Sequence, residues 1–317
     1  MINAFVSFFL TLVAIAILLK TPLSNFALDK PNARSLHVRQ TPRTGGLAII
    51  IGVIVAWIVW QVDSKWFFLV LALVGVSLID DVRGLGVRWR LVAQIIVSAC
   101  FIWHFLPNLA WWLMPAALFG LVWMTNLYNF MDGSDGLAGG MGLFGFATYA
   151  LASFWAGDAQ LAIMCACVSA SCLAFLLFNF HPAKIFMGDS GSIPLGFLAA
   201  AIGIYGWQQA IWPVWFPMLV FSPFIVDATM TLFKRLLRGE RVWQAHREHY
   251  YQRLVLMGWG HKKTALAAYL LMFLTGLAAL LMLKMPVIWV FISIVAWVIA
   301  YLLMMLQIDK QWKQQLP

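Results

Sequence analysis

Asn126, Asn129 and Asp132 recur every third residue, and Asp135 follows within Asp132-Gly133-Ser134-Asp135-Gly136, between two long apolar runs. Two amides and a carboxylate at that spacing fall near one face where a helix ends. The Asp-Gly pair breaks the helix and leaves backbone N–H groups and the Asp135 carboxylate free to meet a ligand. A plain turn between helices needs one Asp-Gly, not four polar side chains. Such a set suits a phosphate-bearing ligand with a divalent cation, because hard cations take carboxylate oxygens and bridge to phosphate.

Other segments carry related chemistry. Asp80-Asp81 closes an apolar run, and adjacent carboxylates repel unless a cation or a shared proton relieves them. Neighbouring helix positions point about 100° apart, so one acid can face a cavity while the other pairs with Arg83 or Arg88. Asp189 lies in Phe186-Met187-Gly188-Asp189-Ser190-Gly191-Ser192, a few residues after Lys184. It either ligates Mg²⁺ or caps the following helix, and amides at that helix start favour an anion. Arg39 and Arg43 flank Thr41-Pro42, with Gly45-Gly46 after them. Guanidinium forks pair with phosphate, and paired glycines let the backbone approach a ligand; a basic loop that sets topology explains the arginines too. His246, His249 and Arg253 recur at helical spacing in a long basic loop. That loop is read as a lid of donors over a pyrophosphate, or as an amphipathic helix on anionic lipid. Asp227 is either a supporting acid or a partner of Lys234-Arg235.

The elements that must position these groups are apolar. Hydrophobic residues make up 63% of the 317, charged residues 10%, and the mean hydropathy is +0.87. A spanning helix takes about 20 apolar residues, and the expected fold is an all-α integral membrane bundle. Eleven spans are expected (ten is the alternative), over 2–19, 45–61, 66–79, 91–106, 109–125, 137–155, 160–178, 192–206, 211–231, 264–283 and 286–306. The whole chain is then one polytopic domain. The first span reads as a retained anchor. Cys100, Cys165, Cys167 and Cys172 lie in apolar runs and read as packing residues.

With the N-terminus outside, the inward segments are 20–44, 80–90, 126–136, 179–191, 232–263 and the tail. They hold 19 of the 21 Lys and Arg residues. That is the positive-inside bias of short loops. It accounts for the net charge of +9 without nucleic acid. Asp80, Asp81, Asp132, Asp135, Asp189 and Asp227 fall on the same side. A structural protein has no reason to gather six acids there; a site for a cation and phosphates does.

Taken together and in this order, the motifs resemble the polyprenyl-phosphate N-acetylhexosamine-1-phosphate transferase superfamily. The resemblance runs from Thr41 to Arg253 by motif and over the remainder by span pattern. Within it, the arrangement looks like the transferases that initiate O-antigen. The resemblance implies ten or eleven helices in the bacterial cytoplasmic membrane, an active site at the cytoplasmic face, and dependence on Mg²⁺, with Mn²⁺ as a substitute. It implies transfer of a sugar-1-phosphate from a UDP-N-acetylhexosamine to undecaprenyl phosphate, with release of UMP, and it allows a homodimer. Asp189 matches the family's metal-ligand aspartate, and Asp81 is expected to assist it. Asp80 and Asp81 match the pair associated with the lipid phosphate and proton removal. Asn126, Asn129, Asp132 and Asp135 match the nucleotide motif, and His249 and Arg253 match the C-terminal catalytic loop. Arg43, Lys184 and His246 are expected to contact substrate. One departure stands out: Tyr251 and Gln252 occupy places where many members carry histidines, which points to a different donor such as a 6-deoxy sugar. The competing class is a transporter or flippase of an anionic substrate, which would not need its acids at one face.

Overall fold

The protein is described by a computed structural model that covers residues 2–21, 27–29, 36, 40–242, 244 and 246–315, with the backbone alone for 81–83. Long apolar runs form helices because a helix satisfies every backbone N–H and C=O within the segment. In chain order these are α1 (Ile2–Lys20), α2 (Gly45–Val59), α3 (Ser64–Arg83), α4 (Val87–Phe105), α5 (Met114–Phe130) and α6 (Leu137–Trp155). Then come α7 (Ala159–Asn179), α8 (Asp189–Gln208), α9 (Trp215–Val220), α10 (Ser222–Leu237), α11 (Tyr250–Leu254), α12 (Gly260–Met282) and α13 (Val287–Gln315). A two-stranded antiparallel ribbon, β1 (Leu28–Asp29) with β2 (Thr41–Pro42), precedes α2.

Among the described residues, six segments are long and apolar enough to cross a membrane: α1, α6, α7, α8, α13 and the Tyr250–Met282 segment that contains α12. Every expected span contains helix, but the ends differ. The expected 109–125 is helical over 114–130, so Asn126 and Asn129 sit in the last turns of α5, at the helix end that their spacing suggested. The expected 211–231 is broken between α9 and α10, where Pro223 opens the second piece. Proline has no N–H to give and tolerates the first turn of a helix. The expected 286–306 runs on to Gln315, about two and a half turns further.

Small residues let these helices approach closely, as in membrane bundles generally. Ser7 on α1 lies 2.6 Å, hydroxyl to hydroxyl, from Ser171 on α7, and Thr11 donates to Ser171 at 2.9 Å. At the start of α2, Gly46 touches Gly191 of α8; a Cβ on Gly46 would fall 2.3 Å from the Gly191 Cα. The paired glycines therefore serve contact between helices, where the sequence suggested contact with a ligand. Backbone bonds from Gly45 to Phe186 and from Gly46 to Met187, both 2.9 Å, complete this junction.

The connecting segments converge on one end of the bundle. Arg43 meets Asp189, Arg90 meets Asp80 and Asp189, Asp135 meets His181, Tyr251 meets Phe130, and Arg253 meets Asp309. The six segments that the charge bias assigns to one side thus lie together. At the opposite end, Lys284 sits over the Trp155 ring at 5.0 Å.

Candidate active site

Gly188, in a left-handed conformation (φ 71°), turns the chain into α8 and makes Asp189 its first residue. Gly188 holds the capping position, so the Asp189 carboxylate is available for other partners. Its Oδ2 lies 3.2 Å from Arg90 Nη1 and its Oδ1 lies 3.5 Å from Arg43 Nη2. The same Arg90 nitrogen is 3.1 Å from Asp80 Oδ2. One guanidinium therefore holds two carboxylates that come from α3 and α8. Arg90 is partly exposed and stands on the first turn of α4. Of the adjacent pair, Asp80 takes Arg90 as its partner among the described side chains, and Arg88 is not in reach of it; the side chains of Asp81 and Arg83 lie outside the described residues, as does Arg39.

Asp132 follows α5 and completes this group. Burial first, then the nearby Asp189 carboxylate, pushes its carboxyl well above the usual carboxylate range, against the opposing pull of Arg43 and the Gly188 N–H. A carboxyl in that state gains most from an added cation.

The two amides of the motif are committed to packing. Asn126 donates to Gln94 Oε1 at 2.6 Å, tying α5 to α4 one helical turn beyond Arg90. Asn129 donates to Ser192 Oγ at 3.1 Å, tying α5 to the first turn of α8. They position the arginine and the aspartate that form the charged cluster. Asp135, which the sequence left free for a ligand, is buried. Its Oδ2 contacts His181 Nδ1 at 2.7 Å and accepts the Ala183 N–H at 3.2 Å. Beside it, Ser134 Oγ lies 2.9 Å from His261 Nδ1, and the His181 and His261 rings stack at 5.3 Å. This second cluster fixes the turn of the motif to the loop after α7. Lys184 is exposed, within that loop.

The C-terminal loop packs on the same turn. His249 is 3% exposed, and its Nδ1 lies 3.3 Å from Asp227 Oδ1 in a geometry that makes no hydrogen bond. Its ring stacks on Phe130 and Tyr251. Tyr251 donates its hydroxyl to the Phe130 carbonyl at 3.1 Å, so it bridges the loop to the end of α5. The Gln252 side chain accepts the His249 N–H at 3.2 Å, closing a capping box on α11. His246 contacts His249 ring to ring at 4.8 Å. Burial, then the neighbouring His249, lowers its pKa to about 4, so at neutral pH it is an uncharged imidazole and not a cation for phosphate. Arg253 is 5% exposed and faces the other way, toward Asp309 at 2.8 Å. The structure thus gives this arginine a carboxylate of α13 as its partner, where the sequence suggested a pyrophosphate.

Among the described residues, no group of three or more His, Cys, Asp and Glu side chains forms a ready cage for a metal. Asp80 and Asp189, gathered about one cation with Asp132 alongside, fit the other mode. Mg²⁺ usually keeps several waters and is held by one or two carboxylates together with substrate phosphates. Hard carboxylate oxygens are the right donors for it, and two arginines beside them can receive phosphate oxygens.

This constellation stands on a bundle of apolar helices, and the chain is similar to known proteins. Residues 64–207 of this chain match the model of glycosyl transferase family 4. Its homologues are phospho-sugar transferases to polyprenyl phosphate. A probable undecaprenyl-phosphate N-acetylglucosaminyl 1-phosphate transferase of Bacillus subtilis (strain 168) is 29% identical over 321 residues, spanning 93% of this chain and 89% of the relative. A decaprenyl-phosphate N-acetylglucosaminephosphotransferase of Mycobacterium leprae (strain TN) is 29% identical, over 77% of this chain and 74% of its own. A phospho-N-acetylmuramoyl-pentapeptide-transferase of Chlorobium phaeobacteroides (strain BS1) is 28% identical over 78% and 81%.

Proposed function

We propose that this protein transfers an N-acetylhexosamine-1-phosphate from a UDP-sugar to undecaprenyl phosphate and releases UMP. The reaction starts a cell-envelope polysaccharide at the cytoplasmic face of the bacterial inner membrane. The observation that carries the reading is Arg90 held between Asp80 and Asp189, with Arg43 and Asp132 beside them. Alternating carboxylates and guanidinium groups at one end of a membrane bundle suit two phosphorylated substrates and a divalent cation. The relatives are named for N-acetylglucosaminyl and N-acetylmuramoyl-pentapeptide transfer. UDP-N-acetylglucosamine is therefore the first donor to test, ahead of the 6-deoxy sugars of O-antigen synthesis.

Asp189, with Asp80 or Asp132, would hold Mg²⁺, which when bound offsets the charge of the pyrophosphate and of the departing UMP. An oxygen of the lipid phosphate attacks the phosphorus next to the sugar, and the bond from that phosphorus to the bridging oxygen breaks. UMP leaves with that oxygen. A phosphate monoester has a second pKa of about 6, so the nucleophile is largely deprotonated at neutral pH. Asp80 then orients the nucleophile and takes its remaining proton. Arg43 and Arg90 receive phosphate oxygens released from their present carboxylate partners. His249 is fixed against Phe130 and Tyr251 at the end of α5.

The test is UMP release by purified protein in detergent with undecaprenyl phosphate, Mg²⁺ and a panel of UDP-N-acetylhexosamines. Release with one donor, abolished by EDTA and by Asp189→Asn, is the expected result. Folded protein that releases no UMP with any donor would overturn the reaction and leave transport as the reading.

A further inference from the structure

The catalytic loop is mounted at two points by helices that carry none of the motifs of the site. At its start, the Asp227 carboxylate of α10 accepts the backbone N–H of Tyr250 at 2.8 Å and of Tyr251 at 2.9 Å. These are orphan donors of the first turn of α11, which a short helix cannot satisfy by itself. At its end, Asp309 of α13 takes Arg253 Nη1 at 2.8 Å on one carboxylate oxygen. The other oxygen takes Lys234 Nζ of α10 and the Tyr250 hydroxyl. Arg253 also donates its Nε–H to the Glu248 carbonyl at 2.8 Å, just ahead of His249. Its guanidinium lies 5.1 Å from the Tyr250 ring and 5.9 Å from the Trp312 ring.

We infer that Asp309 is a positioning residue for the reaction: it locks α11, and through α11 fixes His249 at the site. The helix that brings it has little other hold on the bundle. Of the residues of α13, Val290, Tyr301 and Met305 are buried, and a cavity of about 290 Å³ separates α13 from α10 and α12 beneath the loop. The extra turns of α13 beyond Leu306 thus have a definite task. They carry one carboxylate to two cations, the half-buried Lys234 of α10 and the buried Arg253 of α11. Asp309 is committed to Lys234, Tyr250 and Arg253 and is not offered to substrate.

This inference rests on the proposed transfer reaction for its activity readout, so a second readout is independent of it. Asp309→Asn, Asp309→Glu and wild type would be compared for kcat and KM in UMP release, for melting temperature, and for hydrogen exchange over 246–254. For Asp309→Asn we expect exchange at Tyr250 and Tyr251 to quicken about tenfold or more, a cooperative melt to persist, and kcat to fall about ten- to a hundredfold, the scale of a small misplacement. Asp309→Glu should recover most of kcat and of the slow exchange. Unchanged exchange in Asp309→Asn would overturn the inference. So would faster exchange with kcat intact, or a lost kcat that the glutamate does not recover. If wild type releases no UMP while the asparagine variant still opens the loop, the reaction is what fails and the clamp stands.

Discussion

Arg90 Nη1 lies 3.2 Å from Asp189 Oδ2, a contact between positions 99 residues apart. The same nitrogen holds Asp80, so the arginine occupies the place where a cation between two carboxylates is stabilised. Removing it leaves two like charges facing each other with Asp132 nearby. Arg90→Met should therefore bind a divalent cation several-fold more tightly, because the competing positive charge is gone. The same variant should lose kcat about tenfold or more, since a donor for phosphate oxygens is lost. Manganese binding followed by electron spin resonance, beside a Mg²⁺ titration of UMP release, would read both. Weaker cation binding in Arg90→Met would contradict the assignment.

Tyr251 stands in the C-terminal loop, and its hydroxyl bonds the Phe130 carbonyl. Tyr251→Phe keeps the ring that stacks on His249 and deletes that bond. A lost hydrogen bond of this kind costs about 1 kcal/mol. The melting temperature should drop by a few degrees, with kcat reduced a few-fold and the KM for the donor little changed. A large rise in KM with kcat intact would instead place the hydroxyl on the donor.

His246 gives a pH dependence with a definite sign. Its folded pKa is about 4, below the ordinary 6.5, because burial disfavours the charged ring. Between those values the unfolded chain binds a proton that the folded chain does not, so stability falls as pH drops through that window. His246→Gln should flatten that fall between pH 6.5 and 4 and leave stability near pH 8 little altered. Melting temperatures of the two proteins across that range decide it; parallel curves would show that the ring does not titrate as described.

Much of this site was legible in the sequence. Every apolar span read from hydropathy contains helix, whereas the short α11 lay inside an expected loop, and the charge bias grouped the segments that the structure brings together. The acids Asp80, Asp132 and Asp189 stood out by motif. Arg90 did not, because one more arginine in a basic segment looks like a topology signal. Gln94 and Asp309 were hidden for a related reason: each acts through a partner far along the chain, and local periodicity carries no such information. Asp309 also lay past the expected end of its helix, since the run of apolar residues stops before the helix does. Asp135 looked free because its partner His181 enters from another loop.

Gln94 and Asn126 supply the remaining expectation. The two side chains pair amide to amide, with Asn126 Nδ2 to Gln94 Oε1 at 2.6 Å and the reverse bond at 3.4 Å. Gln94 stands four residues after Arg90 on α4, on the same face. If the pair serves to hold α4 against α5, then Gln94→Leu and Asn126→Leu each let Arg90 shift, and each lowers kcat/KM by a similar factor. The double variant should be scarcely worse than either single, because residues that share one interaction are not additive. A direct role for Asn126 on the nucleotide predicts otherwise. Asn126→Leu would then raise the donor KM well beyond the effect of Gln94→Leu, and the two losses would multiply. Kinetics of the four proteins with one donor, at saturating lipid phosphate, separates a tie between helices from a contact with substrate.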